Sequence, residues 1–243
     1  MSSAASAKHR PLVWLFDLDN TLHDASHAVF GQLNASMTGY IEHHLGLDKP
    51  AAEHLRAHYW HRYGATLLGL VRHHGICPHH FLHDTHVLPD LEARVRLPWQ
   101  DRQALARLPG KKLILTNAPR AYALRVLRQL KLQQHFDGVI AIEDMQAFGH
   151  WRPKPDARML RMLLHKHGIA ANRCVLVDDA PDNLKTARRV GLRTAWMQGY
   201  TRNARRGTGV RAEVGIHLHG RPHWACARIT RLHTLHAWCA SPF

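Results

Sequence analysis

The sequence predicts an α/β fold in which helices cover both faces of a parallel β-sheet. Two observations support this prediction: short apolar runs recur along the chain, and each is followed by residues with helical periodicity. This alternation is typical of βαβ units, whose strands are buried on both faces. The predicted strands are Leu12 to Phe16, Lys112 to Leu115, Val139 to Ile142, Cys174 to Val177 and Thr194 to Met197. We therefore expect a Rossmann-like parallel sheet core.

A long stretch between the first and second predicted strands interrupts this alternation, since no comparable apolar run occurs there. Apolar residues recur every three or four positions from Val29 to Leu45, which indicates an amphipathic helix ending at Gly46. A similar pattern from Leu55 ends at Gly64. The prediction is an inserted all-helical cap domain over residues 23–100, with residues 1–22 and 101–243 forming the core.

Proline and glycine mark the ends of the helices that follow the later strands. Proline is favoured in the first turn of a helix, and glycine just past its end. Pro119, Pro155 and Pro181 open three predicted helices. The second should end before Gly168 and the third before Gly191.

The C-terminal residues show weaker patterns. The segment from Arg202 to Gly215 is rich in arginine and glycine, which predicts a loop. The segment from Ala227 to Trp238 is compatible with a final strand or a final helix.

Composition restricts the class of protein. Of the 243 residues, 45% are hydrophobic and 21% are charged, as in globular domains and unlike disordered or collagen-like chains. No apolar run is long enough to span a membrane, and residues 1–10 lack the apolar region of a secretory signal. The four cysteines are scattered without a C-x-x-C pair, so we expect a protein of the reducing cytoplasm without disulfides.

The chain is strongly basic, with 33 Lys and Arg against 18 Asp and Glu, a formal net charge of +15. Such an excess can indicate nucleic-acid binding, because phosphate neutralisation dominates that affinity. Here the positive charge is spread along the chain. One local cluster, Arg202 to Arg211, has few interleaved aromatic residues on which bases could stack. The sequence therefore favours a solvated basic surface over a nucleic-acid interface.

Polar residues follow the predicted strands, and most of them are carboxylates. Ligands of an open parallel sheet bind at the carboxyl ends of its strands, so these side chains should surround one site. They are Asp17, Asp19, Thr116, Asn117, Glu143, Asp144, Asp178 and Asp179. Unpaired carboxylates at close range repel one another, and a hard divalent cation such as Mg²⁺ resolves the repulsion.

The spacing of Asp17 and Asp19 predicts different catalytic roles for the two carboxylates. Residues two apart at a strand end can both face one reacting group, so Asp17 can attack phosphorus while Asp19 transfers protons. Phosphoryl transfer also needs a cation near the phosphate. Lys154 fits this role, since Pro153 and Pro155 stiffen its loop.

The motifs Asp17-Leu18-Asp19-Asn20-Thr21, Thr116-Asn117, Lys154 and Asp178-Asp179, in that order, resemble the haloacid dehalogenase-like (HAD) hydrolase superfamily. The resemblance implies that Asp17 is the nucleophile and Asp19 the general acid/base. It also implies that Thr116, with Asn117 beside it, and Lys154 bind the phosphoryl group. The implied Mg²⁺ ligands are Asp17, the backbone carbonyl of Asp19, Asp178 and Asp179.

A finer resemblance links the segment from Tyr63 to Leu70, together with Phe16 to Leu22, to pyrimidine 5'-nucleotidases. It implies a small-molecule substrate, UMP or CMP, and Thr66 as a substrate-binding residue of the cap. A sugar-phosphate phosphatase or phosphomutase of the same fold is the alternative. A non-catalytic nucleic-acid-binding protein is the alternative from another class.

Other residues have simpler interpretations. Asn183 could support the metal site through a hydrogen bond, and buried Cys174 is interpreted as packing. Two histidine pairs at helical spacing, His54/His58 and His79/His83, could bind zinc. No third and fourth ligands follow at a recognisable spacing, so the sequence favours surface histidines.

Overall fold

A computed structural model describes residues 12–201 and 222–236, and it confirms the predicted α/β fold class. The described strands are β1 Val13–Phe16, β2 Lys111–Leu115, β3 Gly138–Ile140, β4 Gln146–Ala147, β5 His150–Trp151, β6 Cys174–Asp178, β7 Arg193–Met197 and β8 Ala227–Ile229. Within these residues the main sheet has the order β3-β2-β1-β6-β7-β8, and every neighbouring pair is parallel. Strands β4 and β5 form a separate antiparallel hairpin.

Helices connect the strands. They are α1 Ala25–Ala28, α2 Phe30–Leu45, α3 Lys49–Tyr63, α4 Thr66–His74, α5 Pro78–Thr85, α6 Leu91–Arg94, α7 Trp99–Arg107, α8 Arg120–Gln129, α9 Ala157–Lys166 and α10 Pro181–Val190. Glycines with positive φ end α2, α3 and α10, as the sequence predicts: Gly46 (64°), Gly64 (77°) and Gly191 (99°). Only glycine adopts this conformation without steric cost.

The sheet is buried on both faces, which explains why β1 and β6 are apolar along most of their length. One face packs against a cluster that includes Trp14 and Phe16, and the other against a cluster that includes Val13 and Leu15. Because β1 lies at the centre of the sheet, residues directly after it are held between the ends of β2 and β6.

Helices α2 to α5 share a separate apolar cluster that includes Tyr40, Ile41, Tyr59, Leu70 and Phe81. Ile142 and Trp151, which lie beyond β2, also join this cluster. In contrast, Leu88, Leu91 and Val95 pack into the cluster beneath the sheet. The last part of the helical insertion therefore adheres to the core, while α2 to α5 have a hydrophobic centre of their own.

Some element boundaries differ from the prediction. The strand predicted to reach Ile142 ends at Ile140, and residues 142–144 form a 3-10 turn. The helix predicted from Pro155 begins at Ala157, because the Asp156 carboxylate accepts hydrogen bonds from two backbone N–H groups of its first turn.

The C-terminal segment predicted as strand or helix contains β8 and then a short 3-10 turn over residues 232–234. Residues 237–238 of that segment, Cys239 and the predicted Arg202 to Gly215 loop with its arginine cluster lie outside the described residues. Within the part that the structure describes, each helix is too short or too polar to cross a membrane.

Candidate active site

The turn after β1 carries Asp17 and Asp19, the two carboxylates that the sequence singled out. Leu22 N–H donates to the Leu18 carbonyl at 2.9 Å, which closes the turn. Asn20 has φ +58°, a conformation that asparagine tolerates better than most residues, and its side chain accepts a hydrogen bond from Ser26 N–H. This turn directs Asp17 toward the loop between β5 and α9.

Lys154, from that loop, lies between two carboxylates. Its Nζ donates to Asp17 Oδ1 at 2.7 Å and to Asp178 Oδ2 at 2.9 Å, and its side chain is only 5% exposed. Burial alone would lower the pKa of Lys154, but Asp17 and Asp178 outweigh it and raise the pKa above the ordinary value. Lys154 is therefore a fixed positive charge at the end of β1.

Three carboxylates from two neighbouring strands converge at this point. Oxygen atoms of Asp17, Asp178 and Asp179 all lie within 4.8 Å of one another. Burial, together with repulsion from Asp178, raises the pKa of Asp17 to about 7, even though Lys154 opposes the rise. Burial and both neighbouring aspartates raise the pKa of Asp179 well above its ordinary value. The cluster holds more negative charge than one lysine balances, and its oxygen donors suit Mg²⁺.

Asp178 is fixed by its neighbours. Ala180 N–H donates to its Oδ1 at 2.9 Å, and the Asn183 amide lies 3.0 Å from each of its oxygens. The supporting hydrogen bond predicted for Asn183 is therefore present. Both donors come from the start of α10, so the position of that helix sets the orientation of the carboxylate.

Asp19 occupies a different environment. Its Oδ1 accepts a hydrogen bond from the Tyr122 hydroxyl at 2.6 Å and lies 3.0 Å from His23 Nε2. His23 is fully buried, and its Nδ1 has no hydrogen-bond partner among the described residues, so the ring proton belongs on Nε2. Burial raises the pKa of Asp19, but the hydrogen bonds from His23 and Tyr122 bring it below the ordinary value.

Thr116 and Asn117 follow β2 and lie at the same edge of the sheet. The Thr116 side chain is 1% exposed, and its Oγ1 accepts a hydrogen bond from Ala118 N–H at 3.1 Å. The Asn117 amide pairs with the backbone of Lys154 in both directions, at 2.9 Å each. The amide thus holds the lysine loop, and contact of Asn117 with substrate stays a prediction.

Two other carboxylates that the sequence places at this edge of the sheet, Glu143 and Asp144, have different partners. Glu143 accepts hydrogen bonds from Arg120 N–H at 3.0 and 3.1 Å, and Asp144 pairs with the Arg120 guanidinium. Both carboxylates therefore fix the first turn of α8 to the end of β3. They are not part of the three-carboxylate cluster.

The cap approaches the site through the end of α3. A Cβ built on Gly64 would lie 3.2 Å from Pro155 Cδ and 3.6 Å from the Lys154 carbonyl oxygen. Thr66, predicted to contact substrate, is 5% exposed, and its hydroxyl donates to the Arg56 carbonyl at 3.1 Å. That hydrogen bond joins α4 to α3, and contact of Thr66 with substrate stays a prediction.

The parallel sheet, the helical insertion and the carboxylate-lined site together define the class of this chain as an α/β core with an inserted helical segment. The family model for haloacid dehalogenase-like hydrolases matches residues 13–191, and the chain belongs to that family. The predicted superfamily is thereby confirmed.

Individual relatives are more distant. Phosphate metabolism protein 8 of Saccharomyces cerevisiae is 26% identical over 193 residues, which cover 74% of this chain and 59% of that protein. The chain thus spans less than two thirds of that relative's length.

Many solved structures share the fold, and two of them serve as examples. A HAD phosphatase from Thermococcus onnurineus is 17% identical, with a TM-score of 0.60, covering 94% of this chain and 98% of that one. The L-2-haloacid dehalogenase of Xanthobacter autotrophicus, with chloropropionic acid covalently bound, is 14% identical, with a TM-score of 0.56, covering 95% and 99%. At these identities the likeness concerns the fold alone.

Sequence reasoning missed His23 and Tyr122. His23 had a local signal, because it is the fourth residue after Asp19 and is therefore close enough along the chain to reach that carboxylate. Tyr122 lies 103 positions from Asp19, and its helix shows an ordinary amphipathic pattern that gives no hint of the contact.

Proposed function

We propose that this hydrolase is a Mg²⁺-dependent phosphatase that acts on small phosphate monoesters through a phosphorylated Asp17. The observation that carries the proposal is the contrast between two neighbouring carboxylates. Asp17 faces Lys154 and the acidic cluster, whereas Asp19 is oriented by His23 and Tyr122. The carboxylate beside the lysine suits the group that meets the phosphoryl group, and the oriented carboxylate two positions on suits the proton-transfer group.

The reaction has two displacements. In the first, an Asp17 carboxylate oxygen attacks phosphorus, the ester P–O bond breaks, and Asp19 gives a proton to the leaving oxygen, which departs as an alcohol. In the second, water attacks the phosphorus of the aspartyl phosphate and gives a proton to Asp19. Inorganic phosphate leaves, and the Asp17 carboxylate is restored. Lys154 balances negative charge on the phosphoryl oxygens in both steps.

Mg²⁺ would be held by Asp17, Asp178, Asp179 and the backbone carbonyl of Asp19. When bound, the ion neutralises charge on the phosphoryl group and on the three carboxylates. Burial first, and then repulsion between the neighbouring carboxylates, raise the pKa values of Asp17 and Asp179. A divalent cation among these oxygens would favour their charged forms, which supports this assignment.

The hydrogen bonds of Asp19 determine which of its atoms carries the proton. Oδ1 already accepts from Tyr122 and His23, so a proton bound by Asp19 belongs on Oδ2. Halide departure needs no such proton. An oriented acid/base therefore favours ester hydrolysis over the dehalogenation performed by the Xanthobacter relative.

Pyrimidine nucleoside 5'-monophosphates, UMP and CMP, are the substrates that we propose within this class. The resemblance of the segment from Tyr63 to Leu70 to pyrimidine 5'-nucleotidases supports this choice. Its Gly64 lies directly beside Pro155, so the segment borders the candidate site. The scattered cysteines favour the cytoplasm as the compartment.

Phosphate release tests the proposal. Purified protein would be assayed with UMP, CMP, dUMP, AMP, GMP, sugar phosphates and 2-chloropropionate, with Mg²⁺ and with EDTA. Asp17→Asn should abolish phosphate release. Asp182→Asn is the matched control and should retain it, because Asp182 is 76% exposed and pairs only with Lys185 among the described residues.

The substrate panel separates the alternatives. Release from UMP and CMP would support the nucleotidase, and release from sugar phosphates alone would keep the phosphatase and reject the nucleotide. Conversion of a sugar phosphate to its isomer without phosphate release would identify a phosphomutase. Activity confined to 2-chloropropionate would contradict the phosphatase. Absence of all activity, with salt-sensitive DNA binding, would favour the nucleic-acid alternative.

A further inference from the structure

The surface of the cap carries a cluster of potential metal ligands that the catalytic site does not use. His44 is the penultimate residue of α2, and His80 and Asp84 lie one turn apart on α5. One ligand atom from each of the three residues lies within 4.8 Å of the other two. We call these three residues the α2–α5 cluster. It includes neither of the histidine pairs that sequence spacing suggested.

The separation of the ligand atoms suits a tetrahedral ion. His80 Nε2 lies 3.3 Å from Asp84 Oδ2. Zinc bonds of about 2.0–2.2 Å to nitrogen and oxygen place adjacent tetrahedral ligands about 3.3–3.5 Å apart. This pair therefore already has the spacing of one tetrahedral edge, and His44 can supply a third ligand from the neighbouring helix.

Tyr40 orients the two histidines of the cluster. Its hydroxyl lies 2.8 Å from His80 Nδ1, and its ring lies 4.0 Å from that of His44 between centroids. Tyr40 is itself fixed, since it is 8% exposed and packs edge-on against Phe81. When His80 Nδ1–H donates to the hydroxyl oxygen, the lone pair of Nε2 points toward Asp84. Metal-binding histidines commonly use their second nitrogen in this way.

Asp84 is also supported by a neighbour. Its Oδ1 lies 2.9 Å from His83 Nδ1, while Oδ2 faces His80. Each carboxylate oxygen thus has a separate partner.

We propose that the α2–α5 cluster binds a divalent transition-metal ion of the Zn²⁺ class, with solvent completing the coordination. Two imidazoles and one carboxylate suit Zn²⁺ and disfavour Mg²⁺, which prefers oxygen ligands. The ion joins α2 to α5, the first and last helices of the cap cluster, so its binding stabilises the cap. This second metal site is independent of the acidic cluster below the cap.

Zinc titration of the metal-stripped full chain tests the proposal. In isothermal titration, Zn²⁺ is added to protein in a buffer that contains excess Mg²⁺. The wild type should bind one equivalent of Zn²⁺ tightly. The double variant His80→Gln/Asp84→Asn should lose that equivalent. The control His54→Gln/His58→Gln should keep it, because these exposed histidines have the same spacing on α3 but belong to no three-ligand group within the described residues. Asp17→Asn should also keep it.

Further readouts separate binding from folding. Zn²⁺ should raise the melting temperature of the wild type and of the His54/His58 control, but not that of the cluster variant. Tyr40→Phe keeps all three ligands and should weaken Zn²⁺ binding by about 10-fold, the smaller of the usual losses for such supporting contacts. The proposal is overturned if His80→Gln/Asp84→Asn binds Zn²⁺ as tightly as the wild type. It is also overturned if the His54/His58 control loses as much Zn²⁺ affinity as the cluster variant. If the double variant does not fold, the same comparison is made with His44→Gln.

Discussion

At the scale of single residues, hydrogen bonding distinguishes Asp19 from Asp17 although the two are only two positions apart. Asp17 contacts Thr21 and Lys154, while Asp19 contacts His23 and Tyr122. Burial and Asp19 raise the pKa of Tyr122 well above its ordinary value, so its hydroxyl stays protonated and remains a donor. Tyr122 is therefore expected to position the acid/base.

Tyr122→Phe removes the 2.6 Å hydrogen bond to Asp19 with little change in shape. Hydrogen bonds to charged groups contribute about 1.5–3 kcal/mol, so kcat should fall by about 10- to 100-fold while KM changes little. Steady-state kinetics on the best substrate measure both constants. Tyr59→Phe, whose hydroxyl lies 2.7 Å from His74 Nε2 within the cap, should leave kcat unchanged. A loss seen only in KM would contradict the role given to Tyr122.

Sequence reasoning succeeded for residues whose position follows from strand ends. Asp17 and Asp178 end up together because the sequence places each at the carboxyl end of an apolar run, and parallel pairing aligns those ends. The same reasoning misplaced Glu143, which also follows a strand but hydrogen-bonds to Arg120. Nothing in the order of residues shows which neighbour a carboxylate faces, and the contact of Tyr122 with Asp19 depends entirely on the packing of α8.

At the scale of secondary-structure elements, Asn117 connects the end of β2 to the loop before α9. Its two hydrogen bonds fix the backbone of Lys154, whose ammonium reaches the site. Asn117→Ala should lower kcat by about 10-fold and raise KM, because a loosened Lys154 loop no longer presents the ammonium in one position. Kinetic measurements at saturating Mg²⁺ would test this.

Asn34→Ala is the matched control for Asn117→Ala. The Asn34 side chain accepts a hydrogen bond from Arg56 on the exposed surface of the cap. Its loss should leave both kinetic constants unchanged. Equal effects of the two substitutions would exclude a specific positioning role for Asn117.

The packing of α3 on α4 depends on a glycine. A Cβ added at Gly69 would lie 2.1 Å from Tyr59 Cγ, inside the ring's van der Waals surface. Gly69→Ala should therefore lower the free energy of unfolding by about 1–3 kcal/mol, although alanine is the better helix former. Gly39→Ala is the control: a Cβ there meets no atom within 4 Å, so about 0.5–1 kcal/mol of stabilisation is expected. Thermal and urea unfolding of both variants measure these changes. A Gly69→Ala variant as stable as the wild type would contradict the packing argument.

Stability of the whole molecule should depend on pH through His86, a half-buried histidine. His86 lies beside Tyr122, with ring centroids 5.8 Å apart, and burial lowers its pKa to about 4. Its ordinary value is 6.5, which the unfolded chain is expected to show. Between these values the unfolded state binds a proton that the folded state does not.

Folding stability therefore falls as the pH decreases from about 6.5 to about 4, and the His86 contribution to this loss is at most about 3 kcal/mol. His86→Gln removes the titrating group, so the variant should lose less stability than the wild type across this window. Urea unfolding in EDTA at several pH values measures the free energy of unfolding of both proteins. Because the two proteins have the same carboxylates, the carboxylate titrations cancel in the difference between them. Asn34→Ala, which changes an exposed side chain that does not titrate, should lose stability in parallel with the wild type. Parallel curves for wild type and His86→Gln would show that His86 is not buried in its neutral form.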